Sequence, residues 1–171
     1  MQKPILNIDQ TTAVLISDYK PGAPEKYQGP QMAEISELIG AVKLGYNLTI
    51  VPPGKAAFPA HNHFGNEEMF YVIEGEGEVR IGKQHFPIRP GDVIACPAGG
   101  IETAHQIINT SSALTLRYLA VSTTQTPDFV QYPDSGKTGA VYYHDDAQTN
   151  THEVHRVMTR EQDNLDYWDG E

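Results

Sequence analysis

His61 and His63 stand two residues apart in the run HNHFGNEEMFYVIEGEGEV, four residues separate His63 from Glu68, and a third histidine, His105, comes much later. Side chains alternate along a strand, so histidines at i and i+2 point to one face. Gly65 and Asn66 can turn the chain, which lets Glu68 return to that face from the next strand. Imidazole nitrogens and a carboxylate oxygen together suit divalent first-row metals such as Zn, Fe, Mn, Ni or Cu. Three neutral imidazoles and one carboxylate leave coordination positions open, where water or a substrate can bind and be polarised. His61, His63, Glu68 and His105 are therefore the candidate metal ligands. His85, His144, His152 and His155 lack a partner at such spacing, apart from the interval of three between the last two, and read as surface side chains.

The elements that must position these ligands read as short strands. KLGYNLTIV closes at Pro52, Pro53 and Gly54, and EMFYVIEG and EGEVRIG break at Gly75 and Gly77. Gly82 and Lys83 predict a two-residue hairpin turn into QHFPI. Arg89 to Asp92 turn the chain into VIACP, and HQIIN and LTLRYLAVS complete the set. Many short strands with Gly/Pro turns and no helical period predict an all-β sandwich or barrel. Residues 1–39 read as an N-terminal arm, because YKPGAPEKYQGPQ holds three prolines and two glycines. AEISELIGAV fits a short helix or a strand lead-in equally. Residues 40–127 form the expected barrel, within a single domain overall. Residues 128–171 form a C-terminal extension: a loop, a short strand and a polar end. Tyr167 and Trp168 are expected to pin that end onto the barrel.

At 171 residues the chain can bury a real core as one domain. The net charge is −10, and residues 145–171 account for −6 of it with eight acids and two basic side chains. That balance argues against nucleic acid and anionic membranes as partners, since both require a basic patch. No apolar run is long enough to span a bilayer, and no secretion signal is visible in MQKPILNIDQ. The single cysteine, Cys96, excludes an intramolecular disulfide and fits a cytoplasmic protein. It lies in a predicted buried strand, so it belongs to the core.

His61, His63, Glu68 and Gly75 match the first motif of the cupin superfamily, and Gly91, Pro97, Gly99, His105 and Asn109 match the second. One departure stands out: five residues, GIETA, separate Gly99 from His105, where the motif has two. The extra length is expected to loop at the barrel mouth and line it through Glu102 and Thr103. Glu67 also fits a shorter spacing, but only Glu68 leaves six residues before Gly75. Over roughly residues 40–122 the chain resembles stand-alone bacterial cupins, some of which carry a sugar-phosphate isomerase label. The resemblance implies a double-stranded β-helix, or jelly-roll, barrel. It also implies a divalent metal such as Zn, Fe, Mn or Ni on the four ligands, and a homodimer.

Other motifs carry less. DSGKTG fits the end of a phosphate-binding loop, but Gln131 stands where the first glycine belongs and no βα unit surrounds it. Lys137 reads as a solvated lysine in a turn, with an anionic substrate as its alternative role. Asn47-Leu48-Thr49 and Asn109-Thr110-Ser111 are glycosylation triplets by pattern alone. The function expected is metal-dependent chemistry on a small polar metabolite, such as isomerisation of a sugar or sugar phosphate. Fe(II) dioxygenase and small-acid decarboxylase chemistry are alternatives, and a non-catalytic ligand-binding barrel is another. For an anionic substrate, Lys55, Arg117 and Lys137 are available by position. No catalytic residue beyond the metal ligands is identified.

Overall fold

Prolines and glycines break this chain into segments too short for long helices, and strands dominate. The structure is a computed structural model that describes residues 3–146 and 151–171, with side chains described outside 143–153. In chain order the strands are β1 (Val14–Leu15), β2 (Gln31–Glu34), β3 (Leu44–Val51), β4 (Asn62–His63) and β5 (Glu68–Glu74). There follow β6 (Gly77–Ile81), β7 (Gln84–Ile88), β8 (Val93–Cys96), β9 (His105–Ile108) and β10 (Leu116–Thr123). β11 (Asp128–Tyr132), β12 (Lys137–Asp146) and β13 (Thr151–Arg160) complete the fold.

They form three antiparallel sheets: β1-β2-β3-β10-β5-β8, β7-β6-β9 and β13-β12-β11-β4. The first two enclose the main core. Alternation on β10 sends Leu116, Tyr118 and Ala120 inward, where Val51, Phe70, Val72, Val79, Ile94, Cys96 and Ile107 meet them. Burying each such Val or Leu contributes about 1.5–3 kcal/mol. This is the expected all-β jelly-roll barrel, and Cys96 lies in its core as expected.

The arm is not merely extended. β1 and β2 add two strands to the edge of β3, and AEISELIGAV divides into the end of β2 and a helical turn at Ser36–Ile39. Gly40, at φ 76°, ends that turn in the left-handed region. The extension departs further from expectation. Instead of a loop, a short strand and a polar end, it is a meander whose last two strands have ten residues each. His155 and Thr159 occupy half-buried positions of β13 and Arg156 and Arg160 exposed ones, so polar residues on both faces hide its period-2 pattern. Tyr167 and Trp168 do not pin the terminus: they are 86% and 75% exposed and meet each other edge-on at 4.7 Å. Among the described residues no helix is long and apolar enough to cross a membrane.

Candidate metal centre

β4 is only two residues long, yet it fixes the site. His61 and His105 lie opposite each other in an antiparallel bridge, closed by hydrogen bonds from His61 N to His105 O (3.1 Å) and from His105 N to His61 O (2.8 Å). Such a directly opposed pair puts both side chains on one face. Asn62, fully buried between the two histidines, donates from Nδ2 to Gly99 O (2.8 Å), and Gly99 N donates to His63 O (2.8 Å). The two sequence motifs are thus tied together through backbone. Asn109 is also fully buried, donating to Val51 O and Leu114 O, and braces the strand end rather than the site.

All three imidazoles converge on one carboxylate oxygen. Glu68 Oε2 lies 2.7 Å from His105 Nε2, 3.4 Å from His63 Nε2 and 3.7 Å from His61 Nε2. Ligand atoms of His61, Glu68 and His105 all fall within 4.8 Å of one another; His63 lies outside this tightest group and reaches the cluster through Glu68. Each ring is held from behind. His61 Nδ1 meets Pro59 O at 2.8 Å, His63 Nδ1 meets Asp128 Oδ2 at 2.6 Å, and His105 Nδ1 lies 3.4 Å from Thr103 O. A neutral ring that donates from Nδ1 keeps its Nε2 lone pair for the interior.

The electrostatics follow from burial against pairing. Burial pulls His61 down to about 4. It acts the same way on His63, but Glu68 and Asp128 outweigh it and hold that ring up at about 9. Burial disfavours the Glu68 charge, yet His105 and His63 more than offset this and keep the carboxyl well below its usual range. His63 Nε2 is buried with no hydrogen-bond partner. An orphaned, inward-facing nitrogen beside two further Nε2 atoms and a carboxylate is a donor set that a divalent metal fits.

Asp128 is the functional residue that sequence reasoning missed. It is 6% exposed, belongs to the extension, and uses both oxygens: Oδ2 on His63 and Oδ1 on Gly65 N at 3.1 Å. Tyr132, also on β11, lays its ring against His61 at 6.0 Å and 25°. The loop Gly100–Thr103 behaves differently from expectation. Glu102 Oε1 accepts from Gly100 N and Thr103 Oγ1 donates to Gly100 O, so both side chains close their own loop instead of lining the mouth. His85 is bound at the surface by Glu78, and His155 stacks on Tyr142. The side chains of His144 and His152 fall outside the described residues. Of DSGKTG, Asp134 to Gly136 form the turn between β11 and β12, closed by Ser135 N and Gly136 N on Tyr132 O; Lys137 is not in the turn but begins β12, and the segment is no phosphate loop. Lys55 is taken by Glu25, and Arg117 by Asp9 and Glu74.

Residues 47–122 match the family model described as Cupin domain. The fold is similar over 97% of this chain and 98% of the other to a structure from Silicibacter pomeroyi named as a sugar phosphate isomerase from a cupin superfamily, at a TM-score of 0.74 and 23% identity. A structure from Thermotoga maritima, named a predicted oxalate decarboxylase, matches 71% of this chain and 99% of its own at 27% identity and a TM-score of 0.56. In sequence, cupincin of Oryza sativa subsp. indica is 38% identical over 69 residues. That match takes in 38% of this chain and 15% of cupincin, so the chain spans a small part of this relative's length.

Proposed function

We propose, from the premise that residues 47–122 form a cupin barrel of the cupin superfamily, that the chain is a metal-dependent enzyme acting on a small, oxygen-rich metabolite such as a sugar or sugar phosphate. The observation that carries the reading is the convergence of His61, His63 and His105 Nε2 on one Glu68 oxygen, with a buried nitrogen left over. These four residues would hold a divalent metal such as Zn, Fe, Mn or Ni. Such an ion supplies Lewis acidity toward oxygen atoms of a bound molecule. The chain's own part is to orient and to exclude water. Asp128 and Pro59 O hold the outward ring protons, and Phe58, Phe70 and Tyr118 wall the crevice beside His61 and His105.

Fold likeness does not choose a reaction, so isomerisation of a sugar phosphate is tested against its competitors. The likeness to the Thermotoga maritima protein favours decarboxylation of a small acid as the second reading. Elemental analysis of the purified protein should give close to one transition metal per chain, lost in His63→Ala. Turnover of sugar phosphates by the loaded wild type supports isomerase chemistry, and turnover of small dicarboxylic acids supports the second reading. With iron bound and oxygen consumed, dioxygenase chemistry replaces both. A wild type that takes up no metal after reconstitution sinks the metalloenzyme and leaves a ligand-binding barrel. The homodimer belongs to the same proposal: Val14, Leu15 and Val42 of the N-terminal segment are exposed apolar side chains, and sedimentation velocity reads the oligomeric state directly.

A further inference from the structure

Opposed residues on neighbouring strands share a face. Two rows of the third sheet are Asp128–Val141–Arg156 and Tyr132–Lys137–Arg160. Asp128 and Tyr132 reach His63 and His61 from that face, so the face lies over the candidate centre. Arg156 and Lys137 occupy the same face. Two strand spacings of about 4.8 Å place the Arg156 backbone about 10 Å from that of Asp128, within reach of a long side chain. Lys20 of the arm holds its ammonium 5.7 Å from the Phe58 ring, three residues before His61. Lys137 Nζ lies 5.3 Å above the Tyr132 ring.

What sets these cations apart in a chain of net charge −10 is their place beside the candidate centre. Arg80 is matched by Asp134, Lys55 by Glu25, and Arg117 by Asp9 and Glu74. Among the described residues no carboxylate pairs with Lys20, Lys137 or Arg156. Lys20 and Arg156 repel instead; burial and then the Arg156 charge lower the Lys20 pKa. The same guanidinium counteracts the upward push of burial on the Tyr132 hydroxyl, which puts it beside that ring too. Cations gathered by β12, β13 and the arm without a carboxylate partner are stabilised by a mobile anion.

We propose that Lys20 and Arg156 form an oxyanion site beside Tyr132, at the edge of the candidate metal centre, and that it takes the phosphate of a phosphate monoester. A dianion satisfies two cations where a carboxylate satisfies one, and arginine meets phosphate through two parallel hydrogen bonds. The inference rests on the metal-centre reading for its place in catalysis, because it names the end of the substrate away from the reacting oxygens.

The test is titration of inorganic phosphate into chelator-stripped and metal-loaded full-length protein at low salt, by calorimetry. Saturable binding is expected in both forms. Lys20→Gln and Arg156→Gln should each weaken it about tenfold, the loss of one charge-assisted bond. Lys83→Gln, in the exposed β6–β7 turn, should leave it unchanged, and acetate should bind at least about tenfold more weakly than phosphate. Both residues lie at the surface, Lys20 with its ammonium partly desolvated, so the variants should melt close to the wild type. No saturable phosphate binding, wild-type affinity in the two variants, or acetate as tight as phosphate would overturn the assignment. Stripped protein reads this site alone, so failure here with normal metal uptake, or the reverse, separates the two proposals.

Discussion

Asp128 allows the metal-centre reading to be tested without removing a ligand. Its carboxylate fixes the outward proton of His63 and so aims Nε2 at Glu68. An amide there can present an N–H to the ring and favour the wrong tautomer. Asp128→Asn should weaken metal binding about 10–100-fold, read by competition with a chromophoric chelator, while the stripped protein keeps its fold. Wild-type affinity in this variant would assign Asp128 to packing alone. A pH prediction follows from the same ring. With its pKa near 9, His63 is protonated in the metal-free site at neutral pH, so metal uptake must expel a proton. Affinity should therefore fall as pH drops below about 9, and calorimetry at pH 7 in buffers of different ionisation enthalpy should report close to one proton released. Cys96 shows the opposite use of burial. Burial first, then the nearby Glu68 charge, pushes its thiol up to about 12, so alkylation at pH 8 should be slow until the protein is unfolded.

At the scale of elements, two of the motif glycines, Gly75 and Gly91, do different work. Gly75 turns β5 into β6 at φ 81°, and a Cβ there would strike the Thr115 carbonyl and the Leu116 backbone. Gly91 also has a positive φ, 94°, but faces open space. Gly75→Ala should cost about 3 kcal/mol or more in urea denaturation, and Gly91→Ala about 1 kcal/mol. Similar losses would place the whole effect in backbone conformation and none in the contact with Thr115. The barrel strands were legible because short β-prone runs are bounded by Gly or Pro turns, as EMFYVIEG is by Gly75 and KLGYNLTIV by Pro52 and Pro53. His61 and His63 were legible from their interval, and Glu68 from the turn before it. Asp128 was not, because 65 residues separate it from His63 and a lone aspartate after Pro127 looks like a turn residue. Nor was β13, whose partner strand supplies the order that its own composition does not advertise.

For the whole molecule, the question is whether the C-terminal segment is an appendage or part of the barrel. We propose a division near residue 127, and truncation tests it. Residues 161–171 hold Leu165, Tyr167 and Trp168, all at least 75% exposed, so ending the chain at Arg160 removes almost no buried surface. That variant should unfold within about 0.5 kcal/mol of the full chain and bind metal equally well. Ending it at Pro127 is different in kind. It takes away Val130, which is 5% exposed, and Asp128, and it strips β4 of its pairing with Val130 and Gln131. β4 carries His63, so the short strand would lose its neighbour, its buried cover and the carboxylate that orients its ring. Metal affinity should then fall by more than Asp128→Asn alone causes, about 100-fold or more. If residues 1–127 instead bind metal as tightly as the full chain, the barrel is self-sufficient and the extension serves another purpose, such as carrying Arg156 to the mouth. If they bind poorly, and restoring residues 128–160 recovers binding, the third sheet is a working wall of the site.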